Sequence, residues 1–185
     1  MKSWPILTAL VAVGLTGCAT ETLRAQSDHD SAQSFASYRT YTWIADEPLM
    51  APPGQALQVS PLNRQRIVRA IEDEMRAKGF QKSMDRSKSD FAVSYTVGAR
   101  DRLDVSSYPA PYAGRWGWGG PYFGSQVDLH MYTEGTLAID IFDASTHQPV
   151  WHGWGSKRIT AHDVTHAAEQ IPPAVTQILK SVPPS

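Results

Sequence analysis

Five stretches of the chain alternate apolar with polar residues or are rich in β-branched and aromatic residues. They cover residues 37–44, 90–97, 126–132, 134–143 and 150–158. Such stretches are typical of half-buried strands in an antiparallel sheet. The last two are separated by the short linker "ASTHQP" and are therefore predicted to form a hairpin.

One segment has a helical period with recognisable ends. Ser60 suits the N-cap, Pro61 the first helical position and Gly79 the position after the last turn. Between them, apolar residues recur every four positions from Ile67 to Met75, which places them on one side of a helix. The segment predicts one long amphipathic helix.

A second helical segment closes the chain, "THAAEQIPPAVTQILKSV". It contains Pro172 and Pro173, and a proline removes a backbone donor and clashes with the preceding turn. Two helical parts are therefore expected, with a break or kink at the prolines. The order of elements predicts an α+β fold, in which a mostly antiparallel sheet has two helical segments packed on one face.

The N-terminus has the pattern of a bacterial export signal. Lys2 precedes an apolar run, residues 6–15, that is too short to span a bilayer. The run ends in "LTGC", which resembles the lipobox of lipoprotein precursors, where the signal is cut before the cysteine and the thiol is lipidated. Cys18 is the only cysteine of the chain, and lipidation accounts for a thiol without a disulfide partner. Palmitate-type acyl chains on Cys18 are expected to anchor the protein to a membrane.

These features also predict a location and a domain plan. Ala19 rather than aspartate follows the cysteine, which favours the outer membrane, with the domain facing the periplasm. Residues 1–17 are predicted to be a signal peptide, 18–34 the lipidated cysteine and a tether or in part an edge segment, and 35–182 a single domain. Removal of the signal takes away Lys2 and changes the net charge from −1 to −2, so the chain has no electrostatic footprint for nucleic acid.

Several segments together are similar to a known family. "FASYRTYTW", "IEDEMRAKGF", "SDFAVSYTV" and "EGTLAIDIFDASTHQPVWHGWGS" resemble the bacterial lipoproteins that carry domain of unknown function 4136. The resemblance extends from about Ser34 to Val182. It implies an anchored periplasmic domain, and it implies no reaction, because the family has no established activity and no recognised catalytic residues.

The residues themselves do not form a familiar catalytic arrangement. No serine lies in a Gly-x-Ser-x-Gly elbow. Asp140 and Asp143 lie three positions apart in a predicted strand, hence on opposite faces, and cannot act as an acid–base pair. We expect Asp143 instead to accept hydrogen bonds from the backbone or from Thr146 in the following turn. The chain is predicted not to be an enzyme and to need no cofactor.

A metal site is the alternative that the histidines raise. His162 and His166 lie four apart at the start of the last helical segment, so both rings could reach one ion. A third ligand would have to come from His147 or His152 on the hairpin. The competing interpretation is a polar helix start in which Asp163 lies near the positive end of the helix dipole.

The stretch of residues 104–124, "DVSSYPAPYAGRWGWGGPYFG", combines large aromatic residues with glycine and proline. Three interpretations are open. In the first the stretch covers the helix-free face of the sheet, and in the second it is a disordered hairpin tip. In the third it is a recognition loop, one version of which inserts into the membrane headgroup region. As a recognition loop it offers the candidate partner contacts Arg115, Trp116, Trp118, Tyr122 and Phe123.

The leading hypothesis is a lipid-anchored outer-membrane lipoprotein whose non-enzymatic periplasmic domain binds an envelope partner. The partner would be a protein or the cell wall, since Arg102 and Arg115 suit carboxylates on either. The alternative is a periplasmic lipoprotein that binds a metal or a small ligand.

Overall fold

A computed structural model describes residues 23–50, 59–109 and 125–185, without the side chains of residues 104–109 and 125–130. These residues form one six-stranded sheet and three helices. In chain order the elements are β1 (Arg24–His29), β2 (Thr40–Trp43), α1 (Pro61–Ala77), β3 (Gln81–Lys82), β4 (Phe91–Pro109), β5 (Ser125–Asp143), β6 (Pro149–Arg158), α2 (Ala161–Thr165) and α3 (Ala167–Leu179), with 3₁₀ turns at Phe35–Ser37 and Arg86–Lys88.

The predicted α+β fold is confirmed, and the sheet is mixed. The strand order is β1-β6-β5-β4-β2-β3. β2 runs parallel to both β3 and β4, whereas the other neighbours are antiparallel. The parallel pairs arise because α1 connects β2 to β3 and β4, and such a crossover returns the chain in the same direction.

The core lies between one face of the sheet and the helices α1 and α3. Side chains alternate along a strand, and the odd-numbered residues of β4, β5 and β6 face these helices. The fully buried side chains include Tyr41, Phe91, Val93, Ile139, Ile141, Ile71, Met75, Val175 and Leu179. None of the helices in the described part of the chain is both long and apolar enough to cross a membrane.

The long amphipathic helix forms where the sequence predicts it. α1 begins at Pro61, buries Ile67, Ile71 and Met75, and is followed by Gly79 with φ 94°. That left-handed conformation strains residues with a side chain, so glycine suits this position.

The predicted break between the strands 126–132 and 134–143 is wrong, because β5 is one continuous strand of 19 residues. Thr133 lies opposite Asp101 in β4, and its hydroxyl donates to the Asp101 carboxylate at 2.9 Å. The ladder therefore continues through the residue that separates the two predicted strands, and β4 and β5 form one long antiparallel arm.

The predicted two helical parts form, as α2 and α3, but the break between them does not lie at Pro172 and Pro173. The chain bends earlier, at His166 between α2 and α3, and both prolines lie inside α3. Pro172 and Pro173 lack the N–H groups that would otherwise donate to the carbonyls of Ala168 and Glu169. All four residues are exposed, so water can bond these carbonyls and the helix continues.

Strand β1 occupies part of the segment interpreted as a tether or edge segment. It pairs antiparallel with β6 at one edge of the sheet, where Ala25 lies opposite Gly155. Leu23 and Ala25 pack against the core. The folded domain therefore begins before residue 35, where the sequence analysis places its start.

Asp143 fixes the turn between β5 and β6, as predicted. Its carboxylate accepts hydrogen bonds from the backbone N–H groups of Ser145 and Thr146 at 2.9 and 2.7 Å and from the Tyr38 hydroxyl at 2.8 Å. The Ser145 hydroxyl also donates to this carboxylate. Its hydrogen bond and those of the other donors outweigh burial, which raises the pKa, and hold the pKa of Asp143 well below its usual range. His147 completes the turn with φ 59°.

Candidate functional site

The predicted site residues lie outside the described part of the chain. Cys18 precedes Leu23, the first described residue. Between β4 and β5, and also outside the description, lie the candidate partner contacts Arg115, Trp116, Trp118, Tyr122 and Phe123. Residues 104–109 belong to β4 and pair with residues 125–130 of β5, so the prediction of a loop that begins at residue 104 is wrong.

The sheet face opposite α1 and α3, here called the open face, is not covered by any described helix. Its side chains come from the even-numbered positions of β4, β5 and β6, because the odd-numbered ones face the core. The open face includes Thr96, Arg100, Arg102, Tyr132, Glu134, Ala138, Asp140, His152, Trp154 and Arg158.

An aromatic pair lies near the middle of the open face. The rings of His152 and Trp154 stack with their centroids 5.0 Å apart. The other contact of His152 is to Asp140, with 2.6 Å between Nδ1 and Oδ1, and its side chain is 46 % exposed. These contacts hold a half-buried tryptophan in one orientation, and partly exposed tryptophans are frequent anchors of protein interfaces.

An arginine cluster, Arg100, Arg102 and Arg158, lies where the sheet narrows to the β4–β5 arm. The Nε atoms of Arg100 and Arg102 bond the same oxygen of Glu134, at 2.8 and 2.7 Å. Hydrogen bonds from Arg102 and Arg100 keep the pKa of Glu134 below its usual value. The guanidinium of Arg158 lies over the ring of Tyr132, 4.1 Å from its centroid. Among the described side chains, Arg100 and Arg102 share the single carboxylate of Glu134, so this group of three carries a net positive charge.

The predicted histidine pair forms, but no ligand set forms around it. The rings of His162 and His166 stack with centroids 4.0 Å apart. The hydroxyl of Thr165 lies 2.8 Å from Nδ1 of His166. Within the described residues, no three His, Cys, Asp or Glu side chains are placed to hold one ion, so His147 and His152 do not complete the pair.

A groove, here called the apolar groove, lies on the other face of the sheet, between the strands and the helices. Its floor has small residues on three neighbouring strands, Ala99 of β4, Gly135 of β5 and Gly155 of β6. Ala99 lies directly opposite Gly135 in the ladder. Above these residues, between the sheet and the helices, lies a cavity of about 290 Å³.

The N-terminal halves of α1 and α3 form the walls of the apolar groove. The wall residues are Asn63, Ile67, Ala167, Gln170, Ile171 and Ala174. At the rim, Ile159 and Val164 are 37 % and 69 % exposed. The groove therefore presents hydrocarbon to solvent in the described part of the protein.

One ion pair lies at the edge of the apolar groove. Nζ of Lys157 and Oδ1 of Asp163 are 2.5 Å apart, and the two side chains are 16 % and 12 % exposed. Burial raises the pKa of Asp163, but hydrogen bonds from Lys157 and Thr160 outweigh it and the pKa is lowered. These are the charged residues among the described groove lining, so the lining has no net charge.

The apolar groove is not among the predicted features, although the sequence contains a signal for it. A glycine inside a strand pattern indicates a bulge or a close approach of another backbone or a ligand. Gly135 and Gly155 are such glycines. At Gly155 a Cβ atom would lie 3.0 Å from the side chains of Ile178 and Leu23, so close packing explains this glycine.

Comparison with known proteins gives a family and a fold. The family model described as "Domain of unknown function (DUF4136)" matches residues 25–184, which include the open face and every residue of the apolar groove except Leu23. No curated protein matches the chain.

Several solved structures are similar to this chain at low sequence identity. A DUF4136 family protein from Bacteroides thetaiotaomicron is 14 % identical, with 86 % of this chain and 93 % of that chain covered and a TM-score of 0.51. A PDZ domain protein from Parabacteroides distasonis is 10 % identical, with 89 % and 37 % covered and a TM-score of 0.48. The PelC dodecamer from Paraburkholderia phytofirmans is 11 % identical, with 85 % and 95 % covered and a TM-score of 0.44.

Proposed function

This chain belongs to the DUF4136 family, and on that premise we propose that it is a non-enzymatic lipoprotein that binds an envelope partner. Acyl chains on Cys18 anchor it to the outer membrane, and its domain faces the periplasm. The lipobox-like "LTGC" and the single cysteine of the chain support the anchor.

The observation that carries the binding role is the composition of the open face. It combines Trp154, whose ring stacks on His152, with Arg100 and Arg102, which share the single carboxylate of Glu134. Tryptophan and arginine are the residues most often found to dominate binding energy at interfaces. A partner with exposed carboxylates, either a protein or the peptide stems of the cell wall, matches this surface in charge.

Photo-crosslinking in intact cells tests the binding role. A photoreactive amino acid at Trp154 should give discrete adducts, and the matched position Arg69, exposed on α1 at the other side of the domain, should give none. Arg102→Glu should reduce the Trp154 adducts, since it reverses one charge of the arginine cluster. Equal adduct patterns from Trp154 and Arg69 would mean that the open face is not the binding surface.

Cell fractionation tests the anchor independently. Wild-type protein should be found with the outer membrane, whereas Cys18→Ser should be absent from it, because no acyl chain can be attached. Retention of Cys18→Ser in the outer-membrane fraction would contradict the proposed anchor.

The apolar groove supports a second candidate function, the binding of a small apolar ligand. Its volume of about 290 Å³ lies at the lower end of the range for ligand pockets, about 300–1,000 Å³. Ala99→Phe should fill the groove, because this exposed residue lies on its floor. Ala92→Phe is the matched control, since Ala92 lies in the same strand with its side chain on the open face.

Fluorescence of N-phenyl-1-naphthylamine reports the binding of apolar molecules. Wild type and Ala92→Phe should increase its fluorescence to a similar degree, and Ala99→Phe should not. If all three proteins behave alike, the probe binds elsewhere and the groove has no ligand role.

A further inference from the structure

We propose that the apolar groove holds one of the acyl chains attached to Cys18 of the same molecule, while that chain is outside a bilayer. This inference rests on the proposed lipid anchor and adds to it an intramolecular binding site. While the protein moves to the membrane, the groove shields the acyl chain from water. The acyl chain leaves the groove when it inserts into the bilayer.

The first support is the place of Leu23, which follows Cys18 by five residues. Leu23, the first described residue, is itself part of the groove lining. Its place is fixed, because Nε2 of Gln177 on α3 donates to the Leu23 carbonyl at 3.1 Å. Cys18 precedes it by five residues, and five extended residues span about 17 Å. An acyl chain on Cys18 therefore starts within reach of the groove.

The second support is the chemistry of the lining. The described groove residues are mostly apolar, and their charged pair, Lys157 and Asp163, is satisfied internally at 2.5 Å. A free fatty acid brings a carboxylate, which would have to compete with Asp163 for Lys157. A chain joined to a cysteine through ester, amide or thioether bonds brings no charge. The lining thus favours a covalently attached chain over a free fatty acid.

The third support is size. A cavity of about 290 Å³ is small for a ligand pocket, and it is open along the rim formed by Ile159 and Val164. These dimensions suit a single flexible hydrocarbon chain. Further acyl chains on Cys18 remain outside the groove, where they can contact a membrane or a carrier.

Photo-crosslinking of the full-length lipoprotein in the exporting cell tests the proposal. A diazirine amino acid at Ile171 lies in the groove wall, and one at Glu169, exposed on another side of α3, is the matched control. After irradiation and digestion, mass spectrometry should find the α3 peptide linked to the N-terminal lipopeptide through its acyl chain, from Ile171 and not from Glu169. The adduct should migrate as a monomer, because the link lies within one molecule.

The variants of the groove floor add a second readout. Ala99→Phe should abolish the Ile171 adduct, and Ala92→Phe should leave it intact. An adduct of Ile171 with phospholipid or free fatty acid, a dimeric adduct, or the absence of any lipid adduct would each overturn the proposal. The N-terminal lipopeptide is observed in the same digest, and its mass shows whether Cys18 carries acyl chains. A lipidated peptide without the Ile171 adduct contradicts the groove proposal, whereas a peptide without acyl chains contradicts the proposed anchor.

Discussion

Asp143→Asn isolates the contribution of one charge to the stability of the fold. The native carboxylate accepts five hydrogen bonds, one from Tyr38, two from Ser145 and two from Thr146. Asparagine keeps the shape and one acceptor oxygen but not the charge. A hydrogen bond to a charged group contributes about 1.5–3 kcal/mol, against about 1 kcal/mol between neutral groups, so at pH 7 we expect a loss of about 3 kcal/mol.

The charge of Asp143 also predicts how the stability difference between wild type and Asp143→Asn depends on pH. The carboxyl of an unfolded aspartate titrates near pH 3.9, whereas the pKa of folded Asp143 is held well below its usual range. The stabilisation is therefore complete above about pH 5 and falls below about pH 4, where the unfolded chain binds a proton and the native protein does not. Each pH unit in that window lowers the free energy of unfolding of the wild type by about 1.4 kcal/mol. The stability difference between wild type and Asp143→Asn should therefore narrow by about 2 kcal/mol between pH 5 and pH 2.

Urea unfolding at a series of pH values, followed by the fluorescence of the buried Trp151, measures both effects. Asp90 and Asp163, whose pKa values are also lowered in the native protein, titrate in both proteins and cancel in the difference. Tyr38→Phe is the control that removes one donor but keeps the charge, and its effect should depend less on pH. Parallel pH profiles of wild type and Asp143→Asn would refute the reasoning.

Three further changes, one of them with a control variant, test local features of the fold by the free energy of unfolding. Gly155→Val should destabilise the protein by about 2 kcal/mol, because the valine side chain would collide with α3. The control Gly98→Ala should change stability by less than about 0.5 kcal/mol, since its Cβ atom would meet only Thr136 at 3.8 Å. Lys157→Met should cost about 3 kcal/mol, because it leaves the largely buried Asp163 without its cation. His147→Gly should raise stability by about 1 kcal/mol, since it relieves a left-handed backbone conformation.

The elements predicted best from the sequence are those that their own residues determine. The apolar period and the ends of α1 lie within one segment, and the turn at Asp143 depends on donors two and three residues away. The failures concern properties set by distant residues. The continuity of β5 through Thr133 depends on Asp101 in the neighbouring strand, and the tolerance of α3 for two prolines depends on which carbonyls face water.

The two candidate surfaces differ in the same way. Arg102 could be singled out from the sequence because arginine suits carboxylates wherever it is exposed, but its partnership with Arg100 and Glu134 requires the register of β4 and β5. The apolar groove could not be located from the sequence, because the residues of its floor lie on three different strands. Ala99, Gly135 and Gly155 become neighbours only when the sheet order is known.

The alternation of side chains along β4, β5 and β6 separates the two surfaces and makes them independently testable. One set of positions presents the tryptophan and the arginine cluster on the open face, and the other set forms the floor of the apolar groove beneath the helices. A substitution such as Ala99→Phe therefore changes the groove and leaves the open face intact, while Arg102→Glu does the reverse. If partner capture and lipid contact respond to different variants, the domain has two functions on one sheet. If both respond to Arg102→Glu alone, partner binding must precede contact with the lipid, and the groove is filled only in the bound state.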